Sequence, residues 1–474
     1  VTISRKETDM NKLHTNFNIN FFPSALMAIV ALLQDAGASV MLVGGAVVDL
    51  LQRKVPVDWD LEVYGKTYEE LGELLAQDEP NQVGKKFGIL KLSRKKTDGV
   101  DIDVSVPRRE NNIGTGHKDF EIFLDPNMSS KDAAMRRDVT FNALYYDLQT
   151  REIVDHFGGL ADLEAGIVRL TDSETFLEDS IRPMRVMQLL ARKGQVITVQ
   201  TAEACRIMGP KSVHDTENQR VGDEFRKLLM KAEKPSVGLK FLQRTGLLAA
   251  FPELNAMVGD LENPEWHPEG DAWEHTLEVV DNAAWVRDQG VLHEDWVEAF
   301  MWAALLHDVG KPSVRDPKTL SAHGHDSAGG PIARAFLDRY IGSTKVKDKA
   351  EALISNHMQP GQLHRTEARA SRWEVLKKRV RLSEAGWLSR CDFAAKPSVD
   401  ISSIEEHGPS KLAFEYHNKL DKADPILTGG DLIAAGIKPG PGLGKGLKAA
   451  YEAQLDGTDD KDQLLGLAVW AAQH

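Results

Sequence analysis

The stretch that most constrains this 474-residue chain is Leu42-Val43-Gly44-Gly45-Ala46-Val47-Val48-Asp49-Leu50-Leu51, followed closely by Val57-Asp58-Trp59-Asp60-Leu61-Glu62-Val63. The first run begins apolar, turns on two glycines and resumes with helical spacing, which predicts strand, tight turn and helix. Glycines at such a turn let main-chain N–H groups approach a phosphate, and the helix N-terminus adds a favourable field. The second run alternates Val57, Trp59, Leu61 and Val63 against Asp58, Asp60 and Glu62, the period of a strand. Asp58 and Asp60 therefore project from one face, close enough to share metal ions. Two carboxylates on one edge beside a glycine turn suit Mg²⁺ and a nucleoside triphosphate. Either piece alone reads as an ordinary turn or a solvated strand face. Their order and closeness favour the nucleotide.

The flanking chain supplies the rest of an α+β head. Pro23 to Gly37 reads as an amphipathic helix leading into the opening strand, and Thr67 to Leu75 as another. Phe87 to Leu92 and Val100 to Val106 alternate as strands. By spacing, either Asp101 or Asp103 supplies a third carboxylate, because both lie on one face. Asn111 to Ser130 has glycines, charges and little periodicity, and reads as a mobile loop. Arg136-Arg137 then precedes an expected helix, and paired arginines beside a carboxylate cluster suit triphosphate clamping. Asp179 and Arg182, three apart on an expected helix, share a face, with Arg185 one turn on.

From Trp266 the texture changes. His275 is expected just before a helix; His307-Asp308-Val309-Gly310-Lys311, His323, His325, His357 and Asp392 follow. With only 15 histidines in the chain, their clustering near predicted helix ends is informative. The adjacent His307-Asp308 pair plus distant His275 and Asp392 can enclose a divalent metal and activate a bound water. Further on, Arg372 to Arg381 reads as a basic helix with aromatic content, a candidate RNA-facing surface. Pro425 to Gly444 reads as helix, glycine-rich turn and helix, a second candidate backbone contact.

Composition narrows the setting. The 42% hydrophobic and 27% charged fractions are those of a globular protein, and no apolar run reaches membrane-spanning length. Thr2 to Asn20 is polar and is expected to fray. Two cysteines, Cys205 and Cys391, give neither a disulfide framework nor zinc spacing, which suits a reducing cytoplasm. A net charge of -13 excludes a uniformly basic nucleic-acid binder, so an RNA substrate needs local basic patches.

Gly44-Gly45, Asp49 and the Asp58-x-Asp60 pair resemble the nucleotidyltransferase signature of the tRNA CCA-adding enzyme and bacterial poly(A) polymerase family. The resemblance implies that Asp58 and Asp60 hold Mg²⁺, and places the third catalytic carboxylate at Asp103, since Asp103 to Glu110 resembles the family's acidic-x-x-x-x-Arg-x-Glu motif. It implies nucleotide-binding roles for Gly44, Gly45, Arg136, Arg137, Asp138 and Asn142, and makes Asp179, Arg182 and Arg185 a protein template that chooses the incoming base. A carboxylate accepts from the amino group of C or A while guanidinium donates to ring acceptors; U and G present the wrong groups. The run from Ile153 to Leu163 matches a structural strand and turn, and Gln219 to Glu224 a helical motif supporting the neck. Three departures stand out: Val48 and Gln188 where members carry Arg, and Pro183 inside the expected helix.

The later histidines resemble the HD phosphohydrolase domain that some members carry. That implies a divalent metal on His275, His307, Asp308 and Asp392, with His325, His357 and Lys311 as phosphate contacts. The expected organisation is a flexible tail over 1–22 and a small mixed-sheet head over 23–165. An all-α neck over 166–258, an HD domain over 259–400 and a helical RNA-binding tail over 401–474 complete it. Linkers are expected at Asn255 to Glu265 and Pro397 to Ser410. The implied function is template-independent CCA addition to tRNA from CTP and ATP in the cytoplasm, with no membrane partner. Poly(A) or A-only addition, and an HD phosphohydrolase with a retired RNA-binding head, are the alternatives.

Overall fold

The computed structural model describes residues 3–5, 12–15, 17–81, 88–112, 120–262, 270–396, 399–404 and 406–474. They divide into two compact units: one runs through Glu224 and adds Lys240–Ala250, the other holds Phe225–Leu239 and everything from Phe251 on. No helix of the described residues is long and apolar enough to cross a membrane.

The first unit is built on strands β1 (Ile3–Arg5), β2 (Lys12–Thr15), β3 (Ser39–Val43), β4 (Asp58–Tyr64), β5 (Ile89–Lys91) and β6 (Asp101–Ser105). To these it adds β7 (Arg108–Asn112), β8 (Phe120–Leu124), β9 (Tyr145–Asp147) and β10 (Glu152–Val154). Eight of them form one sheet in the order β1-β2-β10-β9-β3-β4-β6-β5. Among its described pairings only β4 and β6 run parallel, with Asp58 opposite Asp101 and Asp60 opposite Asp103. Alternation explains the orientation: Trp59, Leu61, Val63, Ile102 and Val104 are all at most 1% exposed, which turns the intervening acids to the other face. The mixed sheet with helices agrees with the expected α+β class.

Two loop expectations are corrected. The N-terminal segment does not simply fray, because β2 pairs with β10 through Leu13 and Ile153. That partner lies far along the chain, so no local pattern announces it. The stretch from Asn111 is not a loop throughout: β7 and β8 form a hairpin and a helix spans Ser130–Met135, while 113–119 lie outside the described residues.

In the second unit the helix Val297–Leu306 carries no polar residue after Glu298, and its side chains from Ala299 to Leu306 are at most 1% exposed. A helix apolar on every side belongs at the centre of a bundle. Phe225, Phe251, Trp302, Phe336 and Tyr340 pack ring to ring beside it. The expected linker from Asn255 to Glu265 is ordered as far as Glu262, with a short helix Pro252–Asn255 and Asp260 held by Arg315 at 2.7 Å, while 263–265 lie outside the described residues. In the other expected linker, residues 397, 398 and 405 lie outside the described residues, while Ile401 is buried and a helix begins at Gly408.

The basic helix is shorter than expected, Ala370–Lys377, and its aromatic Trp373 is buried against Tyr416 rather than offered to RNA. In the tail, a Cβ on Gly442 or Gly446 would lie 2.5 Å from the carbonyl oxygen of Ala472 or Ala468, so these glycines serve close helix packing. Thr428 and Asp431 form a capping box at Gly429–Ala434, so those N–H groups are not all open to a phosphate.

Candidate active sites in the two units

Val43 leads directly into Gly44, whose φ of 68° lies where a side chain is strained, and the helix Gly45–Leu51 starts there. A Cβ at Gly44 would sit 3.6 Å from Asp60 Oδ2, so the glycine turn and the carboxylate row are neighbours. Val48 is buried at 1% exposure, so this position offers no side chain to a triphosphate. Asp49 instead accepts from Lys193 at 2.7 Å.

Asp58 and Asp60 on β4 lie beside Asp103 on the neighbouring β6, the first two as the strand period implied and Asp103 as the resemblance implied. Burial pushes the Asp60 carboxyl up to about 6; Arg137 opposes this, and Asp103 and Asp58 add to it. Asp103 is also raised, first by burial and then, against Lys91, by Asp101 and Asp58. Its Oδ1 is buried without a hydrogen bond, 3.8 Å from Lys91 Nζ. Three crowded acids, with Asp60 and Asp103 raised and one oxygen unsatisfied, are a donor set suited to a hard divalent cation.

Arg136 and Arg137 do not precede a helix. They follow the helix Ser130–Met135, and only a 3₁₀ turn, Thr140–Ala143, comes after. Both reach Glu62 Oε2, at 3.4 and 3.1 Å, and Tyr64 and Tyr145 hydroxyls donate to Oε1 at 2.7 and 2.9 Å. Sequence reasoning placed Glu62 on the acidic face but assigned it nothing. The signal was there, since it continues the Asp58, Asp60 row by the same period of two. Burial and the neighbouring guanidinium of Arg137 push Arg136 down to about 10.

Asp138 accepts from Arg185 Nε at 2.7 Å and from Asn142 Nδ2 at 2.9 Å. Burial would raise this carboxyl, yet Arg185 and Asn142 outweigh it and hold it below its ordinary value. A carboxylate depressed by folding contributes stability that is full above the unfolded value and is lost as pH falls through the lower folded one. Asp138→Asn should therefore lower Tm by several degrees at neutral pH and by progressively less in acid, as thermal melts across pH would show. A deficit that did not shrink in acid would dissociate the ion pair from stability.

Asp179 and Arg182 are not one turn apart on a helix. The helix is Arg182–Lys193, and Pro183 occupies its first turn, where its missing N–H costs nothing. Asp179 lies in the preceding turn and pairs with Arg220 at 3.2 Å. The Arg182 guanidinium donates to the main-chain carbonyls of Thr175 and Arg136. Gln188 is buried and accepts from Arg192 at 2.7 Å.

In the second unit His275 is not ahead of a helix but in the first turn of Ala272–Asp288, which Asp271 caps by accepting from Glu274 N at 2.8 Å. His307-Asp308 end the buried central helix. Gly310 lets the helix His325–Tyr340 close in, since a Cβ there would lie 2.2 Å from His325 O. His325 Nε2 thereby comes to 3.3 Å from Asp308 Oδ1 and 3.0 Å from His357 Nε2. Two groups have metal-ligand spacing and share Asp308: His275, His307, Asp308 and Asp308, His325, His357. Asp392 joins through His275 at 3.0 Å.

His307, His325 and His357 each place Nδ1 on a main-chain carbonyl, at 3.0, 2.8 and 2.7 Å, which fixes the tautomer that turns Nε2 inward as a ligand atom. His307 Nε2 and both Asp308 oxygens are buried without a well-formed hydrogen bond. Burial pushes His357 down to about 4, keeping it neutral. These residues fit a divalent metal. Lys311 is committed to Asp308 and Glu262, at 2.7 and 2.6 Å. Beside it opens a cleft of about 410 Å³ lined by Arg315, His323, His325 and Gln362.

Known proteins align with this layout. The Poly A polymerase head domain family matches residues 40–169, the family described as the probable RNA and SrmB-binding site of polymerase A matches 196–258, and the HD domain family matches 272–392. A protein named multifunctional CCA protein, from Shewanella frigidimarina, is 29% identical over 403 residues, 82% of this chain and 92% of its own length. The Bacillus stearothermophilus CCA-adding enzyme solved with CTP has a TM-score of 0.64 at 20% identity, covering 95% of this chain and 98% of that one. The Thermotoga maritima CCA-adding enzyme solved with tRNA has a TM-score of 0.61 at 19% identity, covering 96% of each. These two likenesses concern the fold. Head, RNA-binding and HD family models are thus matched in order along one sequence, and the chain is similar to a multifunctional CCA protein over four fifths of its length.

Proposed function

We propose that this chain is a template-independent RNA nucleotidyltransferase that completes tRNA 3′ ends with CCA from CTP and ATP in the cytoplasm. Its HD region is a metal-dependent phosphohydrolase. The observation that carries the first reading is the parallel β4/β6 register, which sets Asp60 beside Asp103 next to the Gly44 turn. The functional divisions are a head over 23–165, a neck over 166–258, an HD domain over 259–400 and a tail over 401–474.

Asp58 and Asp60 would hold Mg²⁺, which when bound neutralises triphosphate charge and acidifies the attacking hydroxyl. Asp103 Oδ1, buried and without a hydrogen bond, accepts the proton of the RNA 3′-hydroxyl. The Gly44-Gly45 turn and the guanidiniums of Arg136 and Arg137 hold the triphosphate and then the leaving pyrophosphate. Asp138, Asn142 and Arg185 keep the next turn in place beneath the nucleotide. Catalysis is then positioning and charge neutralisation.

Asp179 and Arg182 choose the base. Arg182 has five N–H donors and spends two hydrogen bonds on carbonyls, so donors remain for a ring acceptor. Asp179 must exchange Arg220 for the amino group at pyrimidine C4 or purine C6, which C and A supply and where U and G carry a carbonyl. The test incubates tRNA ending before CCA with each NTP and with all four, then sequences the 3′ ends. Addition of CCA is expected; A-runs alone would favour the poly(A) reading. Asp179→Ala should lower CTP and ATP use and admit UTP or GTP, whereas Arg182→Ala should weaken both correct nucleotides. Small equal losses in kcat/KM across the four NTPs would sink the template.

A further inference from the structure

Strand period puts Asp58, Asp60 and Glu62 in one row, but Glu62 is 0% exposed. Burying a carboxylate is costly unless its oxygens are satisfied. Here they are divided between two kinds of donor. Tyr64 and Tyr145 hydroxyls hold Oε1, while Arg137 at 3.1 Å and Arg136 at 3.4 Å hold Oε2. The tyrosines anchor the acid to the sheet, because Tyr145 packs in the core cluster of Val43, Ala134, Ala143 and Val154.

This arrangement does more than fill space. Two adjacent guanidiniums repel each other, and one negative charge between them lets both remain side by side. It also fixes where their remaining N–H groups point, which flexible arginines would not do alone. The Nε atoms of Arg136 and Arg137 are buried without hydrogen bonds, so the pair is not saturated by this contact. Arg182 holds the Arg136 main-chain carbonyl at 2.6 Å, steadying the same segment from behind.

We infer that Glu62 is a positioning residue that orients Arg136 and Arg137 for the triphosphate, and so acts on CTP and ATP alike while leaving base choice untouched. This rests on the reading of those arginines as triphosphate contacts. The Glu62 carboxylate contacts neither Asp179 nor Arg182, and Arg182 reaches Arg136 only at its main-chain carbonyl and not at the guanidinium that Glu62 holds, which is why selectivity should not change.

The experiment measures kcat and KM for all four NTPs on a tRNA primer, per folded molecule, with Glu62→Ala, Glu62→Asp, Glu62→Gln and Arg137→Ala. Glu62→Ala should raise KM for CTP and ATP together, by about tenfold or more, with unchanged discrimination against UTP and GTP. Glu62→Asp keeps the charge but is one methylene too short to span tyrosines and arginines, and should show the same joint rise even where the alanine variant folds poorly. Glu62→Gln keeps the length but removes the charge that holds the two guanidiniums side by side, so it should recover only part of the loss, through its amide oxygen accepting from Arg137. Wild-type KM in Glu62→Asp, or unequal losses for CTP and ATP, would overturn the role of Glu62. Arg137→Ala with a wild-type KM would instead overturn the triphosphate reading beneath it.

Discussion

Asp58→Ala or Asp60→Ala should abolish nucleotide addition, by about 10³-fold or more in kcat/KM, because each removes a charge that the transition state needs and the fold does not. Asp58 is exposed and Asp60 partly so, while the strand is held by Trp59, Leu61 and Val63 on its other face. Neither alanine opens a cavity in that core. Asp60 is also raised to about 6, chiefly by burial, so its charge is a burden on the folded chain at neutral pH. Loss of activity should therefore come without loss of Tm, and the HD activity should remain. Primer extension with CTP and ATP, beside thermal melts, reads both. Normal incorporation in either variant would remove the carboxylate pair from the mechanism.

What was legible in advance follows from what is local. The alternation through Asp58 and Asp60 is a property of one strand, so period alone fixed which residues share a face. The choice between Asp101 and Asp103 was not local. It depends on register against β4, and each has an acid opposite it, Asp58 for Asp101 and Asp60 for Asp103. Glu62 went unassigned because burial of an acid on a nominally polar face depends on Arg136 and Arg137, some 75 residues away. Asp179 and Arg182 were misplaced because the helix starts at Arg182, a boundary that Pro183 in the first turn could have signalled. The β7–β8 hairpin was missed because its first strand, Arg-Arg-Glu-Asn-Asn, has no apolar alternation. In the HD region the residues were legible as a set, but their sharing of Asp308 was not. That sharing depends on a helix approach that only Gly310 allows.

The second large effect is expected at that shared carboxylate. His307→Ala with Asp308→Ala should eliminate divalent-metal binding and lower phosphohydrolase activity by about 10²–10³-fold or more, with nucleotide addition unchanged. Asp308 belongs to both three-residue groups, so its loss breaks both at once, whereas His275→Ala breaks one. Metal binding to the folded chain alone raises Tm by mass action, and this gives a readout independent of turnover. Added Mn²⁺ should stabilise the wild type, stabilise His275→Ala less, and leave the double variant unmoved. The double variant will lose some stability in its own right, because among the described residues Lys311 then keeps only Glu262 as an ion-pair partner, at 2.6 Å. Asp308→Asn keeps the shape and separates that loss from the loss of metal. Activity is measured on p-nitrophenyl phosphate and on 2′,3′-cyclic nucleotides, both small enough for the cleft of about 410 Å³ beside His325. If the wild type takes up no divalent metal and hydrolyses neither ester, the buried histidines hold the bundle together and do no chemistry.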